Sequence, residues 1–360
     1  MKRKILIIIT TGFTKYGGLT SVVMNSMRQM DTSKFKISIV SGNTPEDDLL
    51  DECKNLGIEY IKISGRTSNP LMYIHKLKKL LKAYDVVHIH SNSATAAIEL
   101  LAAKMAGVEV RIVQNHTAKC NHKVIHFFLK PIFDKLYTYG IACSQKAGNW
   151  IFGSNNYQIL NNGIDTKKYK FNEENRIRIR NQYGIDDNCI CIGHVGKIYQ
   201  PKNHRFLLDI FNEYNDIISN SKLLLVGDGV MRQEIEQYAK ELGINDKVIF
   251  AGMQSNVNEY LSAFDIFVFP SIWEGMPLAV VEAQASGLPC FVSDSIDSDI
   301  LMTSMAKMFS LDKGSKYWAD KLPQIIENDR EKISNECILK LQNCNYDSRV
   351  CAKILDKLYS

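Results

Sequence analysis

Short apolar runs alternate with helical patterns along nearly the whole of this 360-residue chain, and that alternation restricts the fold more than any other feature. The runs at Ile5–Ile9, Lys36–Val40, Glu59–Ile63, Val86–His90, Val110–Asn115 and Ile141–Ser144 predict strands. The stretches Thr20–Met30, Glu46–Leu56, Leu71–Ala83, Ala94–Ala106 and Val124–Leu136 predict helices between them. Strand–helix–strand order implies a parallel sheet with right-handed crossovers and helices on both faces. The pattern pauses over residues 161–188, a polar and charged stretch that reads as a linker with a short surface helix. It restarts at "CICIGHVG" (189–196), "SKLLLVGDG" (221–229), "KVIFAG" (247–252), "FDIFVFPS" (264–271) and "PCFVSD" (289–294). Two α/β domains follow, at 1–165 and 166–345, each a doubly wound parallel sheet, with a last helix at 346–360 crossing back to the first. The length agrees, being too great for one ordinary core.

Other classes are poorly supported. No apolar run approaches a membrane span. The opening "MKRKILIIITTGF" has too short an apolar stretch for a signal peptide and reads as a first strand, Lys4–Thr10. Nine cysteines include no CxxC pair, so they read as buried, reduced thiols, which suits a cytoplasmic protein. Cys337, Cys344 and Cys351 share a sevenfold spacing, one face of a continuous helix. Net charge is +5, but residues 1–165 carry 21 Lys and Arg against 12 Asp and Glu. A basic first half suggests an anionic ligand or surface for that half. No aromatic–basic repeat supports nucleic acid.

In open parallel sheets, ligands bind beyond the carboxyl ends of the strands, and the unusual residues of this sequence fall there. "TTGFTKYGG" follows the first strand, and Gly17-Gly18 opens a helix, where backbone N–H groups suit an anion; a tight turn reads the same way. Neither GxGxxG nor GxxxxGK[ST] occurs, so dinucleotide and P-loop binding lack support. "GKIYQPKN" (196–203) sets Lys197 and Lys202 on either side of Pro201. Paired cations there suit a diphosphate whose charge grows as it leaves, or are simply solvated. "WEGMPLAVVE" (273–282) places Glu274 in a turn, Pro277 at the first helical position and Glu282 in the helix. Such carboxylates can accept from sugar and ribose hydroxyls, flank a glycosidic bond for hydrolysis, or answer a helix dipole; spacing alone leaves these open. His88 and His90 share a strand face without a third metal ligand nearby, and Asp297 and Asp299 lack a metal-clamp context.

Taken in order, the Gly17-Gly18 loop, His116 after its strand, "NNGID" (161–165), "GKIYQPKN", "VGDG" (226–229), "FAG" (250–252) and the E-x7-E of Glu274 and Glu282 resemble a family 4 glycosyltransferase. The resemblance spans nearly the whole chain. "SKYWADKL" (315–322) is similar to the segment after the last strand in capsule and exopolysaccharide transferases. Lys197 stands where the family often has arginine, which keeps the charge but loses the bidentate fork. "SIDSDILMT" replaces the common Gly-Gly-x-x-Glu-like stretch, as in the polysaccharide-assembly branch.

The resemblance implies a GT-B fold of two facing Rossmann-like domains and retaining, metal-independent transfer with no cofactor beyond a nucleoside-diphosphate sugar donor. It implies that Gly17 and Gly18 approach the diphosphate and acceptor, and that Lys197 and Lys202 hold the diphosphate. Glu274 with the Gly275, Met276, Pro277 and Leu278 backbone would position the sugar, Glu282 the ribose, and His116 would sit by sugar and acceptor. Asn162 and Gly163 would floor the cleft, Gly196, Gly227 and Gly252 would line the donor side, and 253–256 would lie near the base. The acceptor would be a lipid-linked or other oligosaccharide. Lys76, Lys78, Lys79 and Lys82 around an Ile74–Leu77–Leu81 stripe, and the apolar, basic stretch 123–137, would suit an anionic membrane surface. Competing readings are an inactive sugar-nucleotide-binding partner in an assembly complex and a nucleotide-sugar epimerase.

Overall fold

A computed structural model describes residues 2–120, 122–322 and 329–360. The chain divides into two compact units, 1–164 with 347–360, and 165–346. In the first, β1 (Arg3–Ile9), α1 (Gly18–Met27), β2 (Phe35–Ser41), α2 (Asp47–Asn55), β3 (Glu59–Lys62), α3 (Pro70–Leu81), β4 (Val86–Ser91), α4 (Ala97–Ala106), β5 (Val110–Asn115), α5 (Lys123–Phe133), β6 (Tyr139–Ala142), α6 (Gln145–Phe152) and β7 (Gln158–Ile159) succeed one another. All pairs are parallel, in the order β3-β2-β1-β4-β5-β6-β7.

The second unit runs through α7 (Glu173–Gln182), β8 (Ile190–Val195), α8 (His204–Ile217), β9 (Ser221–Val226), α9 (Arg232–Glu241), β10 (Val248–Gly252), α10 (Val257–Ala263), β11 (Ile266–Phe269), α11 (Leu278–Ala285), β12 (Cys290–Ser293), β13 (Ala306–Phe309), α12 (Gly314–Lys321) and α13 (Arg330–Asn343). Its parallel sheet has the order β10-β9-β8-β11-β12-β13. The last helix, α14 (Ser348–Tyr359), belongs to the first unit. Its Cys351, Ala352, Leu355 and Tyr359 complete the apolar core beside Ile5, Ile7, Met27 and Phe35. Among the described residues no helix is long and apolar enough to cross a membrane.

Several local expectations change. The polar linker does hold a helix, α7, but not one confined to the surface. Arg176 and Arg180 both reach the buried Asp265, at 2.7 and 2.9 Å, and the second Arg180 nitrogen donates to the carbonyls of Asp186 and Cys189 at 2.6 Å. The helix docks through a satisfied ion cluster, so no apolar stripe advertises it. Cys337, Cys344 and Cys351 do not share a face: α13 ends before Cys344, which is exposed, and Cys351 lies on α14. Ser144 ends no strand. It caps α6, its hydroxyl accepting from the Ala147 N–H at 3.2 Å. The stripe on α3 is not presented outward, since Leu77 and Leu81 are fully buried and Ile74 half-buried; its lysines cover an ordinary core-facing helix. Trp318 of α12 is buried too, donating to the Ser310 carbonyl at 3.0 Å.

Candidate functional site

Strand order reverses between β1 and β4 in one unit and between β8 and β11 in the other, and the candidate residues gather at the carboxyl ends of these and adjacent strands.

In the second unit two loops are tied together. Asn203, held at φ +58°, donates to the Pro270 carbonyl at 3.2 Å, and the Ile272 N–H donates to the Pro201 carbonyl at 2.8 Å. This lacing brings Lys202 to Glu274, an ion pair of 2.8 Å with only 12% and 17% of the side chains exposed. The Lys202 ammonium also lies 4.2 Å from the centroid of Phe269. Burial pulls its pKa below the ordinary lysine value, and Glu274 opposes that pull. Beneath it His194 and His204 are buried and held neutral, mainly by burial. Lys197, in the same loop, is exposed, whereas Lys202 is buried with Glu274.

Glu282, on the first turns of α11, is buried, and burial raises its pKa to about 7, against a hydrogen bond from Tyr169 and the charge of Lys168. Helix α11 begins at Leu278, so Pro277 is its N-cap rather than its first residue. Met276 is buried, with the Tyr346 hydroxyl 3.8 Å from its sulfur, and Gly275 is half-buried.

The glycines here answer to close backbone packing. A Cβ on Gly227 would stand 2.0 Å from the Gly196 carbonyl oxygen, and one on Gly229 would stand 2.3 Å from that of Ile198. The Gly227 N–H donates to the Gly252 carbonyl at 2.8 Å, and the Gly196 N–H to that of Val226 at 2.9 Å. Gly227 (φ +137°) and Gly252 (φ +71°) also adopt backbone angles that side chains resist. Together they make a thin floor beyond β8, β9 and β10.

In the first unit, Asn43 clamps the loop after β1. Its side-chain oxygen accepts from the Phe13 N–H at 2.8 Å, and its nitrogen donates to the Phe13 carbonyl at 2.7 Å. Gly17 is pinned, since a Cβ would come within 2.9 Å of the Thr14 hydroxyl and 3.0 Å of the Thr20 hydroxyl. Gly18 faces open space, with nothing within 4 Å of a Cβ there. Of the two, only Gly18 leaves room for a ligand at the helix start.

His116 is engaged at both nitrogens, Nε2 with His90 Nδ1 at 3.0 Å and Nδ1 with Asn162 Oδ1 at 3.3 Å. Asn162 accepts, so His116 Nδ1 carries the proton and Nε2 accepts from His90. The column continues inward: His90 stacks on His88 at 4.3 Å, and His88 Nδ1 meets the Tyr359 hydroxyl at 2.7 Å. Burial lowers the His116 pKa to about 4 and that of His88 to about 3. His116 is therefore neutral at pH 7, with both nitrogens already occupied, which makes it unsuited to serve as a strong base. His88 and His90 thus form part of a stacked, hydrogen-bonded column that runs from His116 to Tyr359. Gly163 is also a packing residue. A Cβ there would stand 2.6 Å from Cys351 Sγ on α14, and its carbonyl accepts from Asn25 at 3.1 Å.

Sequence reasoning missed Asn43, Tyr169 and Asn203, and weighed His90 only as half of a metal pair. Each acts through a tertiary partner that the sequence does not display.

The chain thus holds two successive α/β units, the second with a buried acid–base pair at its switch point, and comparison with known proteins supplies the family. The model for "Glycosyltransferase Family 4" matches residues 16–168 and that for "Glycosyl transferases group 1" matches 175–336. EpsF of Bacillus subtilis (strain 168) is 32% identical over 333 residues, covering 88% of this chain and 86% of that protein. The UDP-Gal:alpha-D-GlcNAc-diphosphoundecaprenol alpha-1,3-galactosyltransferase of Escherichia coli is 26% identical, covering 77% and 76%. The crystal structure of Anabaena HepE in complex with UDP and glucose superposes with a TM-score of 0.81 at 16% identity, over 99% of this chain and 98% of that one. The chain belongs to glycosyltransferase family 4 and has the GT-B fold.

Proposed function

We propose that this enzyme moves a sugar from a nucleoside diphosphate onto a lipid-linked glycan acceptor during surface polysaccharide assembly, with retention at the anomeric carbon and without a metal ion. The observation that carries the reading is the buried Lys202–Glu274 pair at the carboxyl edge of the second sheet. A desolvated ammonium there is preorganised for charge that appears as a diphosphate departs. Its partner carboxylate becomes available to sugar hydroxyls once the ammonium turns to phosphate. Lys197 adds a second cation from solvent, and Glu282 accepts from the ribose hydroxyls. His116, neutral and fixed, shapes the sugar and acceptor side. The bond from the anomeric carbon to the diphosphate oxygen breaks with its electron pair. The acceptor hydroxyl oxygen bonds on the same face, and its proton passes to the departing diphosphate. Glycan assembly on a membrane carrier is supported by the E. coli relative, whose name specifies a diphosphoundecaprenol acceptor. Catalysis then takes place on the cytoplasmic face.

The test is a thermal-shift panel of UDP-, GDP- and dTDP-sugars, followed by transfer to diphosphoundecaprenol-linked sugars and assignment of the product anomer by NMR. A donor at a hundred times its Kd adds about 2.7 kcal/mol. No shift with any nucleotide would overturn the donor assignment. Sugar conversion without an acceptor would point to an epimerase instead.

A further inference from the structure

One residue near the carboxyl end of β4, His90, joins two parts of the first unit's rim. Its backbone carbonyl accepts from the Thr10 N–H at 3.3 Å and the Thr10 hydroxyl at 3.0 Å, where the loop toward Gly17-Gly18 begins. Its Nδ1 lies 3.0 Å from Nε2 of His116, just beyond β5, and the two rings are nearly parallel with centroids 5.2 Å apart. His88 stacks on it as well, at 4.3 Å. With only 3% of its surface exposed, His90 lies too deep to meet a substrate. Whatever it contributes to the reaction passes through its neighbours.

The count of protons gives this contact a direction. Two imidazole nitrogens form a hydrogen bond only when one carries a proton and the other a lone pair. Burial keeps both rings neutral, so each holds one proton. That of His116 is committed at Nδ1 to the Asn162 oxygen, and the shared proton therefore belongs to His90. A neutral imidazole without partners exchanges tautomers and turns about its Cβ–Cγ bond. One held at both nitrogens does neither, and presents the same ring edge in every turnover. Groups fixed before a reaction need no rearrangement during it.

We propose that His90 is a positioning residue for sugar transfer: its Nδ1–H fills His116 Nε2 and, with Asn162, holds that ring in one tautomer and one orientation. The Thr10 contacts tie the loop after β1 to the same strand end. The inference rests on the reading that His116 borders the sugar and acceptor, so one arm of its test needs no substrate.

In that arm, ring-nitrogen NMR of the full, isotope-labelled chain at neutral pH is expected to show His116 protonated at Nδ1 and bare at Nε2. His90→Leu removes the donor and should release the ring into a mixture of tautomers. His90→Asn keeps an N–H on the atom next to Cγ and should restore the single form. In transfer assays with the donor found by thermal shift, His90→Leu should lower kcat about tenfold while the donor KM stays within about twofold. His90→Asn should recover most of that loss. Packing alone orders the two variants the other way, since leucine fills the site better than asparagine. Should the leucine variant fail to fold, the wild-type spectrum and the turnover of the asparagine variant carry the test. A proton on His116 Nε2 in the wild-type chain, turnover unchanged by His90→Leu, or a larger loss from asparagine than from leucine would overturn the proposal. A wild-type chain that transfers no sugar counts against the transferase reading instead, and leaves the spectrum to decide the tautomer.

Discussion

The two units assign their charges in opposite ways. The first carries 24 Lys and Arg against 13 Asp and Glu, the second 20 against 26. Yet the rim of the basic unit is neutral chemistry, with open space at Gly18 and Asn162 hydrogen-bonded to a histidine held well below its usual pKa. The rim of the acidic unit holds the desolvated cation, Lys202, and two carboxylates. Net charge therefore does not locate an anion site. A few desolvated groups decide local chemistry, while the bulk excess lies on the surface and acts at long range. The basic first half suggested an anionic ligand or surface there; the structure leaves its excess on outer helices and puts the buried ammonium in the other unit.

The glycines break the comparison most sharply. Gly227→Ala sets a methyl 2.0 Å from a backbone carbonyl at a positive φ. The expected loss is roughly 3–4 kcal/mol, combining strain and overpacking, read as a large fall in urea midpoint. A loss under about 1 kcal/mol would mean that the floor beyond β8 and β9 is pliable.

Next comes the cation. Lys202→Ala should lower kcat about a hundredfold or more, because it removes a donor aimed at developing charge. Lys197→Ala should act less, since its ammonium is exposed and more screened. Near-normal turnover in the Lys202 variant would remove the second unit's claim to the chemistry.

Glu282 gives the third test. Its carboxyl in the ligand-free protein has a pKa of about 7, and ribose hydroxyls bind the ionised form. Donor affinity should be full above that value and fall about tenfold per pH unit below it, until the bound-state pKa is reached. Calorimetry with UDP between pH 8 and 6 reads this, and Glu282→Gln should flatten the profile. A slope that survives the substitution belongs to another group.

Legibility in the sequence followed the kind of force involved. Strands such as β1 and β11 are nearly continuous apolar runs buried on both faces, and a run announces itself. Helix α7 does not, because Arg176, Arg180 and Asp265 replace its apolar stripe with a buried ion cluster formed across 85–89 residues. Strand β13 is short, half-buried and contains a lysine, so it carries little strand signal. At the site, Lys202 and Glu274 were each visible in their loops, but their pairing depends on Asn203 and Pro270 meeting in space. His90 looked like half of a metal pair, and only the position of β5 beside β4 turns it toward His116.

The smallest expected effect separates packing from function within one loop. Gly18 opens α1 with ordinary backbone angles and free space around it, so alanine should fit there and raise stability by up to about 1 kcal/mol through lower chain entropy. Gly17, its neighbour, should tolerate alanine less well, because the methyl would press on Thr14 and Thr20. If Gly18 is the place where a ligand nears the helix start, Gly18→Ala will melt higher and turn over more slowly, whereas Gly17→Ala will lose stability first. A Gly18 variant with a raised melting temperature and unchanged turnover would place the approach elsewhere on the first unit, leaving Gly17-Gly18 as a turn clamped by Asn43.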